Sequence, residues 1–293
     1  MKKCNLADIS KGRTILFDGG LGSMLIAAGL AAGESPEAWN LERPEAVADI
    51  HRQYFAAGSD VVHTNSFGAS PVKLAERGLA DQAERINRRA AEIACGVRPP
   101  GGFVAGDIGP TGKMLQPLGD LDPAAAEDAF RRQAEALLSG GADLISIETM
   151  FSLDEALLAL RAAKSLGDVF AVVSLTYARN PRGFFTMMGD PAAKAAQALE
   201  AAGADAVGSN CGLGSADMLE LTASLKAATS KPILIQPNAG QPVVEEGRTV
   251  YRQAPAAFAA DGVRIRDAGA SMIGGCCGTN PEFIRELGKA LTR

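Results

Sequence analysis

Basic residues are not in excess in this sequence. Lys and Arg number 29 against 34 Asp and Glu, and they are scattered, so no stripe exists that could neutralise several phosphates. Nucleic acid is therefore not an expected partner. No apolar run approaches the roughly 20 residues of a membrane span, and Met1 to Gly20 lacks the basic start and continuous apolar stretch of a secretory signal. A cytoplasmic setting away from membranes is expected. Histidine is nearly missing, with 2 in 293 residues, so a metal centre built on several imidazoles is excluded. The phosphate-gripping G-x-G-x-x-G of open doubly wound sheets is absent after the first strand, where Asp18-Gly19-Gly20-Leu21-Gly22-Ser23 stands instead. The 5 cysteines are an odd count with no regular spacing, which favours thiols or metal ligands over a disulfide framework.

What is present is an alternation that runs the length of the chain. Apolar, β-branched runs at 14–17, 60–63, 103–106, 144–148, 169–175, 206–210, 233–236 and 272–275 read as strands. Stretches of helical period lie between them at 44–57, 82–95, 123–138, 153–165, 191–201, 216–227, 256–267 and 281–291. Pro44, Pro123, Pro191 and Pro281 fall near helix starts, where a preset φ helps and no donor is lost. A recurring Gly-Ala-Asp or Gly-Ser-Asp ends a helix and opens the next strand, the glycine supplying the left-handed residue. Eight such units with no linker or break in composition predict an α/β protein with one domain over residues 1–293, a single (β/α)8 TIM barrel.

In that architecture function sits at the C-terminal ends of the strands. Those ends read Asp18, Thr64-Asn65, Asp107, Glu148-Thr149, Thr176, Asn210-Cys211, Gln236 to Asn238 and Cys276-Cys277. A ring of acids, amides and thiols is costly to bury without partners, so it is expected to line a polar or metal site. Cys4 stands near the terminus and Cys95 inside a helix, where a small buried hydrophobe accounts for it. Cys211, Cys276 and Cys277 together offer three soft thiolates, a donor set for Zn²⁺ that leaves one position open, as in catalytic rather than structural sites. His63, on a strand, is the one imidazole placed to offer a fourth ligand. Adjacent side chains on a strand point to opposite faces, but Gly274, Gly275 and Gly278 let the backbone leave strand geometry so that both sulfurs turn inward. A three-thiolate zinc is a weak activator of water and a good seat for another thiol, which implies alkyl transfer to sulfur. Gly212 to Ser215 and Gly106 to Gly112 lack the features of a phosphate or nucleotide loop.

The segments Phe17-Asp18-Gly19-Gly20-Leu21-Gly22-Ser23, His63-Thr64-Asn65-Ser66-Phe67, Ile147-Glu148-Thr149, Gly208-Ser209-Asn210-Cys211, Pro237-Asn238-Ala239-Gly240 and Gly274-Gly275-Cys276-Cys277-Gly278-Thr279 resemble the homocysteine S-methyltransferase family, over nearly the whole chain. The stretch from Pro237 through Glu245-Glu246-Gly247-Arg248-Thr249-Val250-Tyr251 looks most like the homocysteine-binding barrel of cobalamin-dependent methionine synthase. The resemblance implies zinc held by Cys211, Cys276 and Cys277, with homocysteine sulfur in the open position and Asn238 filling it when substrate is absent. It also implies Asp18, Thr64, Asn65 and Glu148 as substrate-binding residues for the amino-acid end of homocysteine. A sequence of one barrel's length, lacking folate-binding and cobalamin-binding modules, leaves the methyl group to come from elsewhere: a separate methyl-corrinoid protein carrying methylcobalamin, or a small sulfonium or ammonium donor such as S-methylmethionine. A non-catalytic zinc or thiol-binding subunit of a methyl-transfer complex is the third reading. The apolar 177–190 loop, with Phe184, Phe185, Met187 and Met188, is a candidate docking or lid surface or simply packs over the barrel end.

Overall fold

The computed structural model describes residues 13–245 and 248–292. Cys4, and Glu246 and Gly247 of the stretch before Tyr251, lie outside the described residues. Eight parallel strands form one sheet: β1 (Ile15–Leu16), β2 (Val61–His63), β3 (Phe103–Ile108), β4 (Leu144–Met150), β5 (Ala171–Leu175), β6 (Ala206–Gly214), β7 (Ile233–Asn238) and β8 (Met272–Ile273). Each strand pairs with its neighbours in sequence, and β8 returns to β1. A parallel bridge between Phe17 and Val61 joins β1 to β2, so the ring meets itself as a (β/α)8 TIM barrel. Eight helices follow the strands: α1 (Pro44–Ala57), α2 (Ala83–Gly96), α3 (Pro123–Ser139), α4 (Leu153–Lys164), α5 (Ala192–Ala201), α6 (Ser215–Ala228), α7 (Pro255–Asp267) and α8 (Pro281–Leu291).

The strands are apolar on both faces for most of their length because both faces are covered. Outward-facing Leu16, Val62, Val104, Ile145, Val173, Val207, Ile235 and Ile273 pack under the helices, while Ile15, Phe17, Val61, Ala105, Leu144, Val172, Leu234 and Met272 fill the barrel. Toward the C-terminal ends the inward positions change character, to His63, Asp107, Glu148, Ser174, Asn210 and Gln236. The helices begin where the sequence indicates. Proline occupies the first turn of α1, α3, α7 and α8, and Pro191 instead precedes α5 as its cap. Asp122 caps α3 by accepting from the Ala124 N–H at 2.9 Å. Strand β6 runs past the expected end at 210, because a shift of register between Asn210 and Gly214 lets it resume pairing with Asn238.

The repeated Gly-Ala-Asp and Gly-Ser-Asp segments have a further use. Gly141 and Gly203 take φ of 102° and 92°, and the aspartate two residues on reaches back to the preceding strand. Asp60 Oδ2 accepts from the Leu16 N–H at 2.9 Å, Asp143 Oδ2 from Val104 at 2.8 Å and Asp205 Oδ2 from Ala171 at 2.9 Å. Arg13, Arg98 and Lys164 neutralise the three carboxylates in turn. Three strands are thus tied at their N-terminal ends by one device, far from the mouth. Replacing Asp143 by Ala should leave the Val104 N–H unpaired and cost about 2 kcal/mol in urea unfolding, whereas Asp143→Asn, which keeps an acceptor, should cost less than half of that.

Candidate functional site

The mouth at the C-terminal ends gathers the three expected cysteines. Cys211 lies within β6 and takes φ of 59°, a left-handed turn that swings its side chain out of the strand's alternation. Cys276 and Cys277 follow β8, where Gly275 N–H donates to the Asp18 carbonyl at 2.8 Å and Cys276 N–H to the Pro237 carbonyl at 2.8 Å. The backbone has left the strand there, and both sulfurs face one point as expected. Cys211 Sγ and Cys276 Sγ each lie 3.9 Å from Cys277 Sγ, and all three sulfurs fall within 4.8 Å of one another. A tetrahedral ion with metal–sulfur bonds of about 2.3 Å spaces its ligands roughly 3.8 Å apart, so the donor set fits such an ion.

Protonation carries the same message. Thiol donation from Cys276 and Cys277 pulls the Cys211 thiol far below its ordinary value, while holding those protons pushes Cys276 and Cys277 up. Without a cation the cluster keeps one negative charge and withholds the others. Asn238, buried at the end of β7, also bonds Cys211, while its Oδ1 is buried with no partner. That oxygen is free to act as a ligand. Tyr251 lies flat on Gly278, where an added Cβ would meet the ring at 2.3 Å, and its phenol is bonded to Cys277. The sequence reading did not single out Tyr251, which belongs to the cluster only through the fold. Cys95 stays apart on α2, its thiol donating to the Gly141 carbonyl at 3.2 Å.

Across the mouth stands an acidic group. Glu148 is half-buried, and burial raises it to about 7 against the opposing charge of His63, with Asp18 and Cys211 adding to the rise. His63 lies 3.9 Å from Glu148 through Nε2, which also meets Ser146 Oγ at 3.0 Å. Its Nδ1 is 2.7 Å from Asp18 Oδ1, and its backbone N–H donates to Asp18 Oδ2 at 2.8 Å. Asp18 is fully buried with both oxygens engaged on His63. His63, weighed as a fourth metal ligand, is instead committed to Asp18 and Ser146. Asp107 faces the same interior with Oδ1 unpartnered, and burial followed by the Glu148 charge lifts its carboxyl well above the usual range. Its position was legible as a strand end, but its burial beside Glu148 was not.

Thr64 and Asn65 are placed differently from the acids. Thr64 Oγ1 meets Ser66 Oγ at 2.6 Å and accepts from the Asp107 N–H at 2.9 Å. Asn65 turns toward the helix layer, where its amide donates to the Pro36 carbonyl at 2.7 Å and to Asn40 Oδ1 at 3.0 Å. Both side chains brace the loop after β2.

With this geometry in place the comparisons decide the family. A family model described as "Homocysteine S-methyltransferase" matches residues 15–291. The chain belongs to the homocysteine S-methyltransferase family. It is 33% identical over 307 residues to the methionine synthase of Mycobacterium tuberculosis, covering 98% of this chain and 25% of that one. The chain thus spans about a quarter of the length of the methionine synthases it matches. It is 32% identical to the homocysteine S-methyltransferase YbgG of Bacillus subtilis, covering 93% of each chain. Among solved structures it is similar to the homocysteine methyltransferase MmuM of Escherichia coli in its metallated form, with a TM-score of 0.79, 26% identity and coverage of 94% and 95%.

The His63–Asp18 pair gives this member of the homocysteine S-methyltransferase family a pH signature. Burial opposes the charged imidazole, but the Asp18 carboxylate outweighs it and raises His63 from 6.5 to about 10. A base raised on folding stabilises fully below its unfolded value, and that stability fades as pH climbs through the folded value. Urea midpoints of the wild type should therefore fall between pH 7 and 10. His63→Gln should start about 3 kcal/mol lower at pH 7 and converge on the wild type toward pH 10; parallel curves would remove the pair from the account.

Proposed function

We propose that this chain transfers a methyl group to the sulfur of homocysteine, giving methionine, with zinc held by Cys211, Cys276 and Cys277. The observation that carries the reading is the trio of sulfurs at tetrahedral spacing, facing the Glu148 carboxylate across one mouth. Bound zinc would supply a Lewis-acid seat that keeps a substrate thiol deprotonated and nucleophilic near neutral pH. Glu148 accepts the α-ammonium of homocysteine, and a cationic partner draws this carboxyl from its raised value back to the ionised form. His63, fixed by Asp18 and Ser146, holds Glu148 in place from behind. Asp18 acts through His63 rather than by contact, and Thr64 and Asn65 act through the loop they brace. Asn238 would help hold the ion when no substrate is present, through the Oδ1 that otherwise lacks a partner.

The methyl donor is read from the rim. Among the described residues, the exposed large hydrophobics all lie on segments that follow strand ends: Ile26 on the short helix Leu21–Ala27 after β1, Phe67 after β2, Met114 and Leu118 after β3, Met187 and Met188 after β5, and Val243 and Val244 on a short hairpin after β7. Phe184 of the 177–190 loop is buried in the core, so that loop both packs and presents its methionines outward. An apolar collar around a polar centre fits a macromolecular partner better than a small solute. We assign that partner as a methyl-corrinoid protein that carries methylcobalamin and docks over the barrel. A small sulfonium donor such as S-methylmethionine is the second reading, compatible with the likeness to YbgG and MmuM, of which this chain covers 93% and 95%.

The purified protein should hold about one zinc per chain, and each of Cys211→Ser, Cys276→Ser and Cys277→Ser should lower zinc affinity by more than tenfold. Zinc-edge absorption should count three sulfurs without substrate and four with homocysteine; four in both states would contradict an open seat. Turnover with homocysteine discriminates the donors. The favoured reading expects transfer from a methyl-corrinoid protein, reduced more than about tenfold by Met187→Glu with Val244→Glu while free methylcobalamin reacts as before. Fast transfer from S-methylmethionine, with none from the corrinoid, would select the second reading.

A further inference from the structure

Two non-glycine residues among those described lie in the left-handed region, Thr149 at φ 57° and Cys211 at φ 59°. Each directly follows an inward-facing polar residue at a strand end, Glu148 on β4 and Asn210 on β6. A β-branched residue is seldom found with such a backbone, and it stays there only when its surroundings over-determine it. At Thr149 the constraint is the amide of Asn210. Asn210 Oδ1 accepts from the Thr149 N–H at 2.7 Å, and Asn210 Nδ2 donates to Thr149 Oγ1 at 2.7 Å. The same nitrogen lies 3.9 Å from Cys276 Sγ.

The bridge passes over a strand. β5 separates β4 from β6 in the sheet, and Thr176 at its end donates from Oγ1 to the Asn210 carbonyl at 2.9 Å. Asn210 is fully buried, with its amide oxygen, amide nitrogen and carbonyl all engaged. The register of β4 against β5 shifts between Ile147 and Met150, across Glu148 and the left-handed residue that Asn210 holds. One side chain, on the residue just before Cys211, thus reaches the turn just after Glu148.

We infer that Asn210 is a positioning residue whose amide couples the turn after Glu148 to the turn at Cys211, fixing the span between the carboxylate and the sulfur cluster. The inference rests on the proposed function, in which Glu148 takes the amino group of homocysteine and the cluster seats its thiol. Only a ligand that reaches both ends can sense that span. A thiol without an amino group senses one end alone.

The test uses the zinc-loaded protein and calorimetric affinities for homocysteine and 2-mercaptoethanol, with zinc per chain measured in every variant. Wild type should prefer homocysteine; no preference would overturn the Glu148 assignment itself and this inference with it. Asn210→Ala should weaken homocysteine by more than about tenfold while leaving 2-mercaptoethanol within about twofold and zinc per chain unchanged. In a Thr149→Gly background, where a left-handed turn needs no strut, the Asn210→Ala penalty should shrink to less than about threefold. Should Asn210→Ala fail to fold, Thr149→Val removes the hydroxyl acceptor alone and should shift the homocysteine preference in the same direction by a smaller factor. A preference for homocysteine kept intact in these variants, an equal loss for both thiols, or an undiminished penalty in the glycine background would each overturn the coupling while leaving the proposed function standing.

Discussion

Three sulfur atoms within 4.8 Å of one another along a barrel mouth cannot all be thiolates in the absence of a cation. That electrostatic frustration organises the rest of the site. In the metal-free chain it is relieved by sharing protons, which leaves Cys211 charged and its two neighbours neutral. A divalent ion would relieve it more completely, because all three sulfurs could then ionise while the net charge stays at about −1. The backbone holds the sulfurs close enough for the conflict to arise. It does so with a left-handed residue at Cys211 and a glycine-flanked departure from β8, so part of the conformational cost is carried by a cluster residue itself.

The opposite wall uses the same physics in another form. Asp18 is a fully buried carboxylate that would be prohibitive alone, and it is balanced by the raised imidazole of His63. That neutralised pair forms a rigid floor beneath Glu148, whose carboxyl is left half-buried and poised near neutrality at about 7. Burial sets the level and His63 opposes it, so any cation arriving at Glu148 tips the balance toward the ionised form. Asp107, with an orphaned oxygen, is lifted well above the usual carboxyl range beside it by burial and then by the Glu148 charge. One wall thus waits for a positive group and the other for a soft ion, which is what an amino acid bearing a thiol requires of its seat.

Much of this was legible in the sequence, because its main carriers are periodic or local. The eightfold alternation gave the strands to within a few residues, and the polar ends of those strands marked the mouth. The glycines around Cys276 and Cys277 announced that both sulfurs could turn the same way. What escaped depends on contacts between distant segments. Nothing local distinguishes an aspartate that faces a ligand from one that anchors a histidine, so Asp18 was read as a contact residue. Asn65 was read toward the mouth for the same reason, although its partners are Asn40 and the Pro36 carbonyl on another segment. The strand-tying role of Asp60, Asp143 and Asp205 was hidden too, since their acceptors serve strands that precede them by dozens of residues. The apolar collar is the clearest case. Ile26, Phe67, Leu118, Met187 and Val244 are scattered through the sequence, and only the barrel puts all five on segments that follow the C-terminal ends of strands and leaves them exposed.

Those exposed side chains bear on the choice between the two methyl donors of the proposed function. On that proposal the sulfur wall would prepare a nucleophile and the Glu148 wall would hold its amino-acid end, and neither would make a demand on the donor beyond an electron-poor methyl group. With a divalent ion bound, three thiolates, Asp18 and Glu148 set against that ion and one imidazolium would leave the mouth an excess of negative charge, which would favour such a donor electrostatically. Discrimination must then come from outside the polar centre, from whatever the loops admit or exclude. A protein that delivers its methyl group from a bound corrinoid needs a broad apolar landing around the opening, whereas a small sulfonium needs a narrow, closed one. Among the described residues eight large apolar side chains stand exposed on the segments that follow β1, β2, β3, β5 and β7, and exposing them without a partner has no structural return. On the proposed function, donor choice would be set at this rim, apart from the three sulfurs beneath.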